Sequence, residues 1–217
     1  MHDAPAPVDQ GLETGSRPSL SQYLRDLGLA EVEQWMEFPL VAGIADGTLA
    51  PEIFRHYLEQ DYLYLRNYVR LYAKLAAHAP DAEVEHLVRL AWNVLDVELG
   101  LHRGLGEAFG CDFERASPSA VCTEYIDFLL DAAASFGDGL VASLPCIWGY
   151  GMIASRMRPP TDERYRRWVA TYDSARFEGL LEKHCQLLDD AAPDPARAEA
   201  LFRRGLALEA EFWNQEP

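Results

Sequence analysis

Apolar residues recur at helical spacing through most of this chain, and that periodicity constrains its fold more than any other feature. Between Pro51 and His78, bulky apolar and aromatic side chains return every three or four residues, and Pro51 suits the first turn of a helix. A second such segment runs from Asp81 to about Phe109, where Gly110 provides a stop. No segment shows the convincing two-residue alternation of a half-buried strand. The sequence therefore predicts an all-α protein.

Shorter helical segments complete the predicted bundle. Ser19 can cap a first helix that runs toward Met36, and Asp46-Gly47-Thr48 predicts a turn. Further helices are predicted over 119–135, 139–157, 162 to about 188, and 195–213. Residues 1–18 lack periodicity and are rich in Ala, Pro and Gly, so we expect a flexible N-terminal tail there. Residues 19–217 are expected to form a single domain, a compact helical bundle.

The charge balance narrows the range of partners. Against 19 Lys and Arg stand 35 Asp and Glu, a formal net charge of -16, which disfavours binding to nucleic acid or to an anionic membrane surface. No apolar run approaches the roughly 20 residues of a membrane span. Cys111, Cys122, Cys146 and Cys185 form no CxxC pair, and residues 1–10 lack the basic and apolar regions of a signal peptide. We expect a reduced, cytoplasmic protein.

Asp61 interrupts an aromatic helical face. Three- and four-residue spacing puts it beside Tyr57, Leu58 and Leu65, and a buried carboxylate is costly unless it is paired. The pattern predicts either a ligand for Asp61 or a structural partner, such as a neighbouring tyrosine or a backbone group.

Cys146 lies in the run Leu144-Pro145-Cys146-Ile147-Trp148-Gly149-Tyr150, on an aromatic helical wall. A buried free cysteine is more often a small hydrophobe than a nucleophile, so the local sequence favours packing. Pro145 weakens the helical hydrogen bonding just before the thiol, and Tyr150 falls on the same face. Both interpretations stay open on these residues alone.

Two further positions have both a structural and a functional interpretation. Glu209 precedes Phe212 and Trp213 by about one helical turn, so it either shares their buried face or lies exposed in an acidic tail. Tyr172 follows Trp168 by four residues, which fits either core packing or a phenol that faces a site.

A metal-dependent oxidase is an alternative with little support. Glu83 and His86 match the Glu-x-x-His spacing of di-iron bundles, and Glu98 and His102 lie one turn apart. A di-iron site needs that motif on two helices, whereas this chain has it once. We therefore expect no metal site. The Gly-rich nucleotide motifs and Gly-x-Ser-x-Gly are also absent.

Six motifs in order, spread over about residues 20–213, resemble the TenA family of thiaminase II enzymes, which have a helical fold like that of haem oxygenase. They are Asp46-Gly47-Thr48-Leu49, Phe54-x-x-Tyr57-x-x-Gln60-Asp61-Tyr62-x-Tyr64-Leu65, Ser117-Pro118-Ser119, Leu144-Pro145-Cys146-x-Trp148-x-Tyr150, Trp168-Val169-x-Thr171-Tyr172 and Glu209-x-x-Phe212-Trp213.

The resemblance implies a role for each matching residue. Cys146 falls on the family's nucleophile, Glu209 on its proton donor and Tyr64 on a tyrosine that assists the thiol. Asp61, Tyr150 and Tyr172 fall on positions that contact the pyrimidine. These residue types suit an electron-poor aminopyrimidine, because phenols can hold its face while a carboxylate accepts from its amino group.

The implied activity is hydrolysis of the exocyclic C–N bond of 4-amino-5-aminomethyl-2-methylpyrimidine, in thiamin salvage, with thiamin as a second substrate. The product is the hydroxymethylpyrimidine, formed through a cysteine adduct without an external cofactor. The resemblance also implies a homotetramer.

Two positions depart from the family pattern. Cys122 stands where many members have a tyrosine that we expect to help seat the substrate, so Cys122 is a predicted substrate contact. Met152 stands two residues after Tyr150, where many relatives have a glutamate. These departures leave open a pyrimidine-binding or regulatory protein on the same fold.

Overall fold

The protein is a bundle of α-helices in the computed structural model, which describes residues 18–216 and contains no strand in that range. The predicted tail, residues 1–18, lies outside the described residues except for Pro18. The α-helices are α1 (Leu20–Gln34), α2 (Pro39–Asp46), α3 (Pro51–His78), α4 (Asp81–Asn93), α5 (Leu99–Phe109), α6 (Ala120–Ala132), α7 (Phe136–Arg156), α8 (Glu163–Tyr172), α9 (Ala175–Ala191) and α10 (Pro195–Trp213). The all-α prediction is confirmed.

Two predicted helix boundaries were wrong. The segment 162–188 forms two helices, because the chain breaks at Asp173 and the Ser174 hydroxyl then caps α9 by accepting from the backbone N–H of Phe177 at 3.2 Å. Helix α7 begins at Phe136, three residues before the predicted start at residue 139. A serine cap decided the boundary in both cases, since Ser135 caps α7.

The second long helical segment contains an irregular turn that its periodicity did not predict. Between α4 and α5, residues Val94–Glu98 form a π-helical turn, with the backbone N–H of Leu99 donating to the carbonyl of Val94. The segment then ends as predicted at Gly110, whose φ of 72° is the left-handed conformation that glycine adopts without steric cost. Such a turn adds one residue to the helix and is often found at functional sites.

Helices α3 and α7 form the centre of the bundle. Helix α3 packs against α4, α5, α6 and α7, while α7 packs against α9 and α10 as well. Helix α7 is buried along almost its whole length, which explains why its sequence is apolar on every side. None of the helices in residues 18–216 is both long enough and apolar enough to cross a membrane.

Candidate active site

A cavity lies where α3, α7, α8, α9 and the π-helical turn meet. Aromatic side chains form much of its wall, and the polar groups are few, as in typical small-molecule sites. The lining residues are Asp61, Tyr64, Leu65, Tyr68, Tyr72, Glu98, Cys146, Ile147, Tyr150, Tyr172, Phe177 and Leu180. Helical spacing on α3 explains why five of these residues come from that helix.

Three side chains hold Asp61: one from its own helix, one from α5 and one from α7. Its Oδ2 accepts from the Tyr57 hydroxyl at 3.2 Å and lies 2.6 Å from His102 Nε2, while its Oδ1 accepts from the Tyr150 hydroxyl at 3.2 Å. Trp168 Nε1 donates to the Tyr57 hydroxyl at 3.2 Å and extends the network to α8. Asp61 is only 1% exposed, so these bonds offset the cost of burying its charge.

His102 provides the positive charge that Asp61 needs. Its Nδ1 lies 2.8 Å from the backbone carbonyl of Glu98, which can only accept, so Nδ1 carries a proton. Burial alone would lower the pKa of His102, but the charge of Asp61 and the hydrogen bond to it outweigh burial and raise that pKa. An imidazolium that donates from both nitrogens satisfies both contacts.

Cys146 presents its thiol to the cavity from α7, one residue after Pro145. Burial raises the pKa of this thiol well above its usual value, and the nearby Glu209 carboxylate raises it further. Tyr64 opposes that shift only in part: its buried hydroxyl lies beside the thiol but forms no hydrogen bond with any residue in 18–216. The cysteine is therefore a neutral thiol at pH 7.

Glu209 lies behind Cys146 on α10 and is 1% exposed. Its Oε2 accepts from the Tyr125 hydroxyl at 2.6 Å, whereas its Oε1 is buried without a partner among the described residues. Burial raises the pKa of Glu209 to about 8, although the hydrogen bond from Tyr125 lowers it. Glu209 can thus hold a proton at neutral pH.

A close contact between helices brings Glu209 and Cys146 together. Gly205, one turn before Glu209, faces Pro145, one residue before Cys146, and a Cβ at position 205 would lie 2.9 Å from Pro145 Cγ and 3.0 Å from the Ala142 carbonyl oxygen. Only glycine allows α10 to approach α7 this closely. The proline and the glycine together therefore set the separation of the thiol and the acid.

Tyr150 and Tyr172 form an aromatic corner of the cavity. Their ring centroids are 4.8 Å apart with an interplanar angle of 57°, and Trp168 lies 5.0 Å from Tyr172. The structure thus brings Asp61, Tyr64, Cys146, Tyr150 and Tyr172 into the lining of one cavity, with Glu209 near the thiol.

Cys122 does not line the cavity, so its contact with the substrate stays a prediction. Cys122 is buried on α6 outside the cavity lining, and its sulfur donates to the backbone carbonyl of Gln60 at 3.6 Å. Tyr125, one turn later on the same helix, donates its hydroxyl hydrogen bond to Glu209. Met152 also lies outside the cavity, in a surface groove on the far side of Tyr172.

Two of the four residues considered for a metal site have other partners. Glu83 pairs with Lys183 at 3.1 Å, and His102 pairs with Asp61. Across residues 18–216, no three His, Cys, Asp or Glu side chains converge as metal ligands would.

Three contributors to the site are not predicted from the sequence. The sequence indicates His102 only as a possible metal ligand. The buried Asp61 without an obvious partner and the His on a neighbouring helix are both visible in the sequence, and together they could have suggested this ion pair. Tyr125 gives no signal beyond its aromatic type. Glu98 reaches the cavity because of the π-helical turn, which the sequence does not reveal.

The described residues form an all-α bundle with a cavity between facing helices, a common location for small-molecule sites. The chain belongs to the TENA/THI-4/PQQC family, whose model matches residues 29–216. It is 32% identical over 191 residues to an aminopyrimidine aminohydrolase from Halalkalibacterium halodurans, an alignment that covers 81% of this chain and 85% of the relative.

Solved structures show the same fold. A TenA homologue from P. horikoshii OT3 matches with a TM-score of 0.85 and 27% identity, covering 90% of this chain and 97% of that one. A domain of unknown function from Shewanella denitrificans OS217, described as having a heme oxygenase-like fold, matches with a TM-score of 0.71 and 13% identity over 92% of each chain. The haem-oxygenase-like fold expected from the resemblance is confirmed.

Proposed function

We propose that this chain is an aminopyrimidine aminohydrolase of the thiaminase II type, which acts in thiamin salvage. The observation that carries the proposal is that Cys146 and Asp61 line the same cavity, with the Glu209 carboxyl near the thiol. The name of the Halalkalibacterium halodurans relative supports the same activity. The proposed substrate is 4-amino-5-aminomethyl-2-methylpyrimidine, with thiamin as a second substrate.

Asp61 is suited to bind the amino edge of the pyrimidine. Its carboxylate is already fixed by His102, Tyr57 and Tyr150, so little rotamer entropy is lost when a ligand N–H replaces or shares one of these contacts. The rings of Tyr150 and Tyr172 can contact the flat face of the pyrimidine, an arrangement that needs little net charge.

The protonation states of Cys146 and Glu209 favour a concerted first step. The thiol is neutral, and Glu209, whose pKa is about 8, carries a proton at pH 7. As the sulfur bonds to the ring, Glu209 gives its proton to a ring nitrogen and takes the thiol proton, so that S–H adds across a C=N bond without a free thiolate. Tyr64, which lies beside the sulfur, is placed to donate a hydrogen bond as negative charge develops there.

The later steps follow from the adduct. The ring nitrogen of the adduct supplies the electron pair that expels the exocyclic amine as ammonia. Water then adds to the methylene carbon and loses a proton, giving the hydroxymethyl group. Reversal of the first step finally breaks the C–S bond and restores the thiol and the acid.

The test is hydrolysis by the pure protein. We expect the aminomethylpyrimidine to yield ammonia and hydroxymethylpyrimidine in equal amounts. Cys146→Ala should lose nearly all of this activity, while Cys185→Ala, which removes a buried thiol outside the cavity, should keep it. Undiminished turnover in Cys146→Ala would refute the mechanism. Pyrimidine binding without any product would favour the regulatory alternative.

We also propose a homotetramer in the cytoplasm, where the four free cysteines stay reduced. An exposed apolar stripe on α4 and the following turn supports self-association: Trp92 is 66% exposed, Val88 55% and Leu95 41%. In size exclusion with light scattering, Trp92→Glu should reduce the mass of the assembly, whereas Arg103→Glu, a charge change at an exposed position on α5, should not. A monomeric wild-type protein would contradict the proposal.

A further inference from the structure

Glu98 is a cavity-lining acid to which the proposed mechanism assigns no role. Asp61 and Glu98 both line the cavity, but their carboxylates differ in their contacts. Asp61 has three side-chain partners, whereas the Glu98 carboxylate accepts no hydrogen bond from any residue in 18–216. A partly buried acid without a partner is costly to ionise, and burial raises its pKa to about 7.

The π-helical turn directs Glu98 to this position. Its backbone carbonyl holds His102 Nδ1, so the main chain at Glu98 is fixed to the Asp61 network while the side chain extends to the cavity. An α-helix advances about 100° per residue, so without the extra residue of this turn Glu98 would lie on another face of the helix.

Glu98 also lies at the boundary of the cavity. Together with Phe177 and Leu180 it borders both the cavity and a shallow surface depression that includes Arg176. Arg176 donates a hydrogen bond to Asn93, and no Lys or Arg side chain of residues 18–216 lines the cavity. The inner side of Glu98 is therefore open to a cation brought by a ligand.

We propose that Glu98 binds the positively charged nitrogen on the C5 methylene of the substrate and so distinguishes substrate from product. The inference rests on the proposed function. The aminomethyl compound carries an ammonium at this nitrogen and thiamin carries a thiazolium, whereas the hydroxymethyl product is neutral there. A carboxylate at this wall thus favours binding of either substrate and, once the nitrogen has left, favours release of the product.

Binding measured by calorimetry at pH 7.5 tests this assignment. In a Cys146→Ala background, which prevents turnover, adding Glu98→Gln should weaken binding of the aminomethylpyrimidine by about ten-fold or more, the usual effect of losing a charge-assisted hydrogen bond. Binding of the hydroxymethylpyrimidine should change less than about three-fold, because its hydroxymethyl group is neutral and forms no ion pair with Glu98. Glu107→Gln, an exposed residue on α5, removes the same formal charge away from the cavity and should affect neither ligand.

The pH dependence of binding adds a second measurement. The charged groups that face Glu98 are Asp61, His102 and Arg176, and of these only Asp61 raises its pKa. Binding of thiamin, whose charge does not titrate, should weaken as the pH falls below about 7 and Glu98 takes up a proton. That dependence should be absent in Glu98→Gln.

The outcomes separate the two proposals. Glu98→Gln could weaken binding of both pyrimidines equally, or of neither, while the otherwise unmodified protein hydrolyses the aminomethylpyrimidine. The proposed role of Glu98 would then be refuted, and the proposed function would stand. If the unmodified protein neither binds nor hydrolyses these pyrimidines, the function fails and the inference fails with it.

Discussion

His102 Nε2 lies 2.6 Å from Asp61 Oδ2, and neither residue is more than 1% exposed. The Glu98 carbonyl fixes the imidazole from the other side, so the ring has no freedom to turn away. The carboxylate is therefore held in one orientation before any ligand arrives, which reduces the entropy lost on binding.

Removing His102 should destabilise the protein strongly. In His102→Leu the Asp61 carboxylate stays buried without its counter-charge, which costs about 3–5 kcal/mol of unfolding free energy. His184→Leu is the matched control, because His184 is also buried but only bonds the Leu140 carbonyl, at 2.8 Å, and its loss should cost about 1 kcal/mol for the hydrogen bond beyond the change in packing. Urea unfolding at pH 6 measures both. Equal losses of unfolding free energy in the two variants would show that the ion pair with Asp61 does not contribute more to stability than a single buried hydrogen bond.

His184 should make the protein sensitive to acid. Burial lowers its folded-state pKa to about 4, below the ordinary value of 6.5, so the unfolded chain binds the proton more readily. The stability associated with neutral His184 is present above pH 6.5 and is lost as the pH falls toward 4, by about 3 kcal/mol in all. His102 has a raised pKa, and its contribution is fully present below pH 6.5. Urea unfolding from pH 7 to 4 should show a smaller loss in His184→Leu than in the wild type.

The sequence predicted the helical class and most helices because apolar periodicity reflects burial directly. It could not predict the π-helical turn at Val94–Glu98, since an extra residue in a helix leaves no compositional mark. The two missed boundaries, at Ser135 and Ser174, depended on serine caps, which are weak local signals in the sequence.

The candidate site was predictable only in part, for a similar reason. Spacing on α3 put Asp61 on a buried face, but its partner His102 comes from a helix 41 residues later, and pairing over that distance depends on tertiary packing. Cys146 and Glu209 came from the family resemblance. Cys122 was predicted to contact the substrate because many family members have a tyrosine at its position. In the structure the phenol on this helix is that of Tyr125, one turn later, and it donates a hydrogen bond to Glu209.

The Tyr125 hydroxyl should tune the alkaline limit of activity. Burial raises the pKa of Glu209 to about 8, and the Tyr125 hydrogen bond holds it below the value that burial alone would give. Since the proposed mechanism needs protonated Glu209, kcat/KM for thiamin should fall above about pH 8. In Tyr125→Phe the fall should move to higher pH, because the ionised form loses a donor. A shift to lower pH would contradict this role for Tyr125.

Cys122→Ala should affect stability more than activity. The side chain is completely buried on α6, so truncation should cost about 1–2 kcal/mol through lost packing. Because Cys122 does not line the cavity, KM for the aminomethylpyrimidine should change less than about two-fold, well below the effect of losing a substrate contact. Steady-state kinetics and urea unfolding measure the two effects. A large rise in KM would instead support the prediction that Cys122 contacts the substrate.

Gly205 should be needed for catalysis although it touches no substrate. An alanine there would place a methyl group 2.9 Å from Pro145 Cγ and 3.0 Å from the Ala142 carbonyl oxygen, so α10 must move away from α7. Glu209 moves with α10 while Cys146 stays on α7, and proton exchange between them depends steeply on their separation. We expect kcat to fall about ten-fold or more, with KM changed much less because Asp61, Tyr150 and Tyr172 are on other helices.

Gly179→Ala provides the control for Gly205→Ala. Gly179 is an exposed helical glycine on α9, and no atom of residues 18–216 packs within 4 Å of the position that an alanine methyl group would take. Alanine there should leave kcat unchanged and stabilise the helix by about 0.5–1 kcal/mol. Gly205→Ala should in addition lower the unfolding free energy by about 1–3 kcal/mol, the usual cost of overpacking. If Gly205→Ala loses stability but keeps kcat, the close approach of α7 and α10 serves packing alone, and the separation of Cys146 from Glu209 is set by other contacts.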